Sequence, residues 1–165
     1  YELVCLGRSP HKRWWETDLN QKDLLKVDQS LALTDMTTLK NKPVRTLSGG
    51  QRQRAFLSLA LAQDAKTLLL DEPTTFLDVH YQLQLLDLLK GLNKEQKLSI
   101  ITVIHDVNLA ARYCDRIAVL KDGSLIALDS PGNVLTPELM KEAFKVETCQ
   151  IETPIGMQVC TIKSC

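Results

Sequence analysis

The run Thr67-Leu68-Leu69-Leu70 stops at Asp71-Glu72-Pro73, and this junction constrains the fold more than any other stretch of the chain. The run is too short for a buried helix, and Pro73 cannot donate to a ladder, so it reads as a buried strand that ends at two carboxylates. A second β-branched run, Ser99-Ile100-Ile101-Thr102-Val103-Ile104, closes at His105-Asp106 and reads as a second buried strand. Between them, over residues 79–92, Leu83, Leu85, Leu86, Leu88, Leu89 and Leu92 cover a wide helical face, with Gly91 near the expected end. Residues 107–113 supply a following helix. Strand, helix, strand, helix in this order implies a parallel sheet and an α/β architecture.

The chain around this unit divides readily. Leu19, Leu24, Leu25, Val27 and Leu31 within residues 18–33 predict a small helical region in the first third. The segment Leu47-Ser48-Gly49-Gly50-Gln51 leads into an Ala- and Leu-rich stretch over residues 55–62, so a loop feeds the N-terminus of a buried helix. Residues 116–120 and 124–128 flank Lys121-Asp122-Gly123, whose turn chemistry predicts an antiparallel pair. Thr136-Pro137-Glu138 opens one more short helix, with Thr as N-cap and Pro at the first helical position. Residues 146–165 alternate around Pro154 and Gly156 and predict a terminal hairpin.

Bulk properties exclude several classes. Lys plus Arg and Asp plus Glu each total 20, for a net charge of zero, so no basic field points to nucleic acid or an anionic membrane surface. No apolar stretch approaches the roughly 18–20 residues of a membrane helix, and the start carries no signal-peptide pattern. The five cysteines are odd in number and lack paired CxxC spacing. They predict reduced thiols rather than a disulfide framework or a zinc site.

Paired carboxylates at the end of a parallel strand stand where open α/β sheets bind ligands. In a phosphate site Asp71 would hold Mg²⁺, a hard ion that takes oxygen ligands, and Glu72 would polarise the attacking water as general base. Ser48-Gly49-Gly50 ahead of a helix offers backbone N–H groups and the positive dipole end to an anion; the plainer alternative is a loop and N-cap. His105, at the second strand's end, reaches a terminal phosphate or is structural. Asp78 is an N-cap of the next helix, a ligand contact, or both.

Taken together, Leu47-Ser48-Gly49-Gly50-Gln51-Arg52-Gln53-Arg54, then Leu68-Leu69-Leu70-Asp71-Glu72-Pro73-Thr74-Thr75-Phe76-Leu77-Asp78, then Val103-Ile104-His105-Asp106 resemble the signature motif, Walker B strand with its glutamate, D-loop and H-loop of the ABC ATPase family, in family order. Further runs, Leu6-Gly7-Arg8-Ser9-Pro10-His11, Asp106-Val107-Asn108-Leu109-Ala110-Ala111-Arg112-Tyr113 and Gly132-Asn133-Val134-Leu135-Thr136, resemble the ATPases of ferric-siderophore, haem and cobalamin importers. The resemblance implies a partial P-loop NTPase fold. Residues 1–46 would belong to the helical subdomain, and residues 47–165 to the signature helix and the C-terminal part of the ATPase core. It further implies ATP and Mg²⁺ as ligands, a homodimer with a second ATPase subunit, a transmembrane permease partner, and a peripheral place on the cytoplasmic face of the cell membrane. Iron-siderophore uptake is the expected process. Ser48, Gly49, Gly50 and Gln51 would serve a partner's nucleotide; Asp71, Glu72 and His105 would serve their own, and Asp78 joins the nucleotide-binding candidates.

The departures carry equal weight. The sequence contains no Gly-x-x-x-x-Gly-Lys-Ser/Thr segment and no Gly-Lys pair, so the phosphate cradle and its lysine are missing. The expectation is therefore a C-terminal fragment. Its parent would hydrolyse ATP to drive transport, whereas the chain alone would be inactive, with weak or absent binding of ATP and Mg²⁺. The family's Q-loop and adenine-stacking aromatic would lie upstream, and loss of the Walker A strand would leave open strand edges and uncovered apolar faces, inviting self-association. Phe76 stands where the family usually has Ala. The alternatives are a non-catalytic module that docks on a permease or another ATPase, and a non-transport ABC ATPase.

Overall fold

In the computed structural model, which describes residues 1–13, 18–75 and 77–165, two units form, Tyr1–Val103 and Ile104–Cys165. The first is organised around helix α3 (Gly49–Ala62), against which α1 (Glu2–Cys5) and α2 (Gln21–Leu33) pack. Helix α2 starts at Asn20, whose side chain accepts from the Asp23 N–H while the Asp23 carboxylate accepts from the Asn20 N–H. Such reciprocal capping satisfies two donors that a helix start otherwise leaves orphaned. Val4, Val27, Leu31, Met36, Leu47, Ala55 and Ala62 form the shared core.

Polar groups inside this cluster are paired. The turn at Leu6–His11 runs so close to α3 that a Cβ on Gly7 would lie 2.4 Å from the Leu59 carbonyl oxygen. Only glycine fits that approach. The neighbouring Arg8, buried, donates from Nε to Asp23 Oδ1 at 2.9 Å and from Nη1 to the Ala62 carbonyl at 2.6 Å. The bond from Arg8 holds the Asp23 carboxyl below its usual value, against the opposing effect of burial. Thr34 and Ser58 share a hydroxyl–hydroxyl bond of 2.6 Å, both side chains fully enclosed.

Strands β1 (Thr67–Leu70) and β2 (Ser99–Thr102) pair in parallel, with Leu68 opposite Ile100 and Leu70 opposite Thr102. The connecting helix α4 (Val79–Gln96) follows the expected leucine face, burying Leu85, Leu86, Leu89 and Leu92. It passes through Gly91 and ends only at Lys97, which takes the left-handed cap conformation, with Asn93 Nδ2 donating to the Leu98 carbonyl at 2.9 Å. The second strand is two residues shorter than the β-branched run. The Val103 N–H still reaches the Leu70 carbonyl at 2.9 Å.

The expectation that both strands are buried needs correcting. Leu68 is covered, but Leu69 is 71% exposed, Ile101 62% and Val103 48%. Strand side chains alternate between faces, so one face of this sheet is covered and the other lies open. Doubly wound sheets cover both.

The second unit begins with α5 (Val107–Tyr113), capped by Asp106, whose carboxylate accepts from the N–H groups of Asn108 and Leu109. Strands β3 (Ile117–Lys121) and β4 (Ser124–Asp129) pair antiparallel across a turn where Gly123 has φ +76°, with a bulge at Val119/Leu120. A short helix α6 (Pro131–Val134), not evident in the sequence, precedes α7 (Pro137–Phe144), for which Thr136 is the N-cap as expected. Strands β5 (Val146–Thr153) and β6 (Gly156–Ser164) form the predicted hairpin. Val119, Val134, Leu135, Met140 and Val159 make the core. Asn108 binds β6 through its amide: the Val159 N–H donates to Oδ1 at 2.7 Å and Nδ2 donates to the Val159 carbonyl at 3.2 Å. No helix among the described residues is long and apolar enough to cross a membrane.

Candidate functional site

Ser48 leaves extended backbone to enter α3, and its side chain and that of Gln51 bond reciprocally. The Gln51 N–H donates to Ser48 Oγ at 3.3 Å, and the Ser48 N–H donates to Gln51 Oε1 at 3.2 Å. The plain N-cap reading of Ser48 is therefore realised. It does not displace the other one, because the hydroxyl accepts in this box and keeps its own proton to donate outward. A Cβ built on Gly49 would meet nothing within 4 Å, so the backbone there is open to an approaching group. Gly50 packs on the Tyr81 ring of α4, its built Cβ 3.4 Å from the ring. The N-terminus of a 14-residue helix with an accessible glycine suits a phosphate oxygen.

Beyond β1 the chain turns sharply. Asp71 is exposed at the strand's C-terminal end. Glu72 takes φ +46°, a left-handed conformation that costs a non-glycine residue about 1 kcal/mol or more and clusters at functional sites. Thr75 Oγ1 donates to Glu72 Oε2 at 3.0 Å, and the Thr75 N–H donates to the Glu72 carbonyl at 3.1 Å. Glu72 is thus held at both its backbone and its carboxylate.

Two glutamines fasten this turn to the neighbouring helices. The Gln53 side-chain amide of α3 donates to the Pro73 carbonyl. From α4, Gln82 Nε2 donates to the Thr74 carbonyl at 3.3 Å and the Leu77 carbonyl at 3.0 Å. Asp78 caps α4, accepting from the Tyr81 N–H at 3.1 Å. Through the Gln53–Pro73 bond and the Gly50–Tyr81 contact, the structure connects Ser48, Gly49, Gly50 and Gln51 with Asp71, Glu72 and Asp78 within the first unit. His105 belongs to the second unit, where it is exposed and directly precedes the cap Asp106. Phe76 lies outside the described residues. Sequence reasoning missed Gln53, Gln82 and Tyr81 as positioning residues; no local pattern marks an amide whose carbonyl partner is twenty residues away.

The hollow beside Asp71, lined also by Phe56, Leu70, Pro73 and Leu85, holds about 150 Å³. Ligand pockets of drug size span roughly 300–1,000 Å³, so it does not by itself house a nucleotide. The donor chemistry does suit the ion that accompanies one: a single exposed carboxylate supplies a hard oxygen and leaves room for the waters Mg²⁺ retains.

A family model described as ABC transporter matches residues 7–75. Over 152 residues the chain is 43% identical to the petrobactin import ATP-binding protein FpuD of Bacillus anthracis, covering 92% of this chain and 55% of that one. The chain belongs to the ABC transporter ATPases. It is also 42% identical to the iron(3+)-hydroxamate import ATP-binding protein FhuC of Bacillus subtilis, over 93% of this chain and 57% of that protein. Among solved structures, a metal-chelate type ABC transporter in an inward-facing conformation superposes with a TM-score of 0.86 at 26% identity, covering 97% of this chain and 64% of that one. The fold is that of an ABC ATPase cassette. This ABC ATPase chain spans about half the length of the curated relatives it matches.

Proposed function

We propose that this chain supplies the signature, Walker B, D-loop and H-loop part of a nucleotide-binding domain that hydrolyses ATP on the cytoplasmic face of the membrane to drive iron-siderophore import. The observation that carries this reading is the Asp71–Glu72 turn at the end of a parallel strand, held to the glycine-led helix α3 by Gln53 and to α4 by Gln82. Support for the solute class comes from relatives named for petrobactin and iron(3+)-hydroxamate import.

Residues 1–46 act in the helical subdomain, and residues 47–165 in the signature helix and ATPase core. Asp71 holds Mg²⁺ directly or through water; the bound ion offsets phosphate charge. Glu72 accepts the proton of the attacking water, with Thr75 fixing one carboxylate oxygen so that the other faces the nucleophile. His105 donates to the terminal phosphate. Ser48, Gly49, Gly50 and Gln51, with Asp78 nearby, serve the nucleotide of a second ATPase subunit, and the pair drives a transmembrane permease.

Calorimetry and turnover measurements test this, on the chain as it stands and on a version extended at its N-terminus by a Walker A segment. Hydrolysis by the extended version, lost in Glu72→Gln while MgATP binding persists, supports the reading. Undiminished turnover in Glu72→Gln removes Glu72 from the general-base role.

A further inference from the structure

Two of the five cysteines face each other across the terminal hairpin, where Cys149 on β5 stands directly opposite Cys160 on β6. The pairing type follows from Asn108. Because the Val159 N–H and carbonyl both bond the Asn108 amide, they point away from β5, which makes Gln150–Val159 a pair without mutual backbone bonds. Antiparallel ladders alternate, so the adjoining Cys149–Cys160 pair is the hydrogen-bonded kind, with Cα atoms about 5.5 Å apart. That separation lies inside the roughly 4.4–6.8 Å that a disulfide spans. The register shift at Glu147/Thr148 falls outside this stretch.

The same alternation sets the faces. Val159 is buried in the core, and Gln150 Nε2 donates to the Leu135 carbonyl, so this pair points inward. The cysteine pair therefore points outward, side by side. Cys160 is exposed, Cys149 half-buried, and both are free thiols.

We propose that Cys149 and Cys160 form a reversible thiol-oxidation site whose substrate is a low-molecular-weight disulfide of the glutathione class. The thiolate of Cys160, the more exposed, attacks one sulfur of the small disulfide and expels one small thiol. Cys149 then attacks the Cys160 sulfur of the mixed disulfide and expels the second. One protein S–S bond forms, one small-molecule S–S bond is reduced, and the two thiol protons leave on the two products. Exposed cross-strand bonds sit at the oxidising end of the disulfide range. The pair accordingly stays reduced in a reducing compartment and closes when the thiol pool is oxidised. Closure joins the two strands at the residue next to Val159, where Asn108 anchors α5 to the hairpin.

Treating the full 165-residue chain with oxidised glutathione, then mapping peptides without reduction, tests the site. The expected result is a Cys149–Cys160-linked peptide two hydrogens lighter than the reduced form, reopened by dithiothreitol and retained in Cys165→Ser. In Cys149→Ser, Cys160 should instead accumulate the glutathione adduct, because no resolving thiol faces it. A mixed adduct that persists at Cys160 of the unsubstituted chain overturns the proposal. So does oxidation that appears only as covalent dimers or as bonds to Cys165.

Discussion

The helical cluster of the first unit and the sheet that follows it use their apolar residues in opposite ways. In the cluster around α3, Val27 is fully buried, Arg8 is paired to Asp23, and the hydroxyls of Thr34 and Ser58 satisfy each other. In the β1–β2 sheet, one face rests on α4 while Leu69, Ile101 and Val103 face outward. Leu69, Ile101 and Val103 are as apolar as the leucines and valines of the cluster, so residue type does not separate the regions. What separates them is how many neighbours each element has: three helices enclose a stripe on all sides, whereas a two-stranded sheet with one crossover helix covers one face. An open apolar face next to unpaired strand edges favours association with another chain.

Breaking the cluster should cost most. Leu31→Ala removes a side chain that is 2% exposed in a closed core, with an expected loss of about 3 kcal/mol in urea unfolding. Next comes Arg8→Met, which strips Asp23 of its guanidinium. Breaking a buried pair on one side costs about 3–5 kcal/mol; because Met keeps much of the apolar bulk of Arg8 and Asp23 still accepts from the Asn20 N–H, roughly 2 kcal/mol is expected. Its pH signature is distinctive. Because the folded Asp23 carboxyl sits below its ordinary value, its contribution is present above an unfolded value of about 3.9 and disappears as pH falls through the depressed folded one. Arg8→Met should flatten that acid limb, and an unchanged limb would discount the pair.

A smaller effect is expected at the helix entrance, where Ser48→Ala loses the cap of α3, at about 1 kcal/mol in thermal melts. The smallest is on the open face. Leu69→Lys should shift stability by no more than about 0.5 kcal/mol, yet lower the sedimentation coefficient if the wild-type chain self-associates through that face. A loss comparable to that of Leu31→Ala would show that Leu69 is covered in solution and would erase the contrast between the regions.

Local chemistry made most elements readable. Pro73 ending β1, Asp78 as a cap, the leucine face of α4, Gly123 in its turn and Thr136-Pro137 opening α7 each depend on residues a few positions apart, and all occur as expected. The readings that missed concern longer reach. Gly91 looked like a helix end, but an interior glycine costs only about 1 kcal/mol, which the buried leucines on either side of it offset. Ile104 left its strand, although its β-branched type favoured continuing.

The candidate site divides along the same line. By itself the sequence named the candidate groups, the two carboxylates, the glycine-led helix start and the imidazole, and showed that a Gly-Lys pair is absent from it. Only the tertiary structure decided how the turn is held. Gln53 donating to Pro73, Gln82 donating to Thr74 and Leu77, Tyr81 under Gly50 and the left-handed backbone of Glu72 all depend on where three separate elements meet. The face of β1 that stays open was decided there too. Period-two alternation tells which residues share a face, but whether anything covers it is a property of the neighbours.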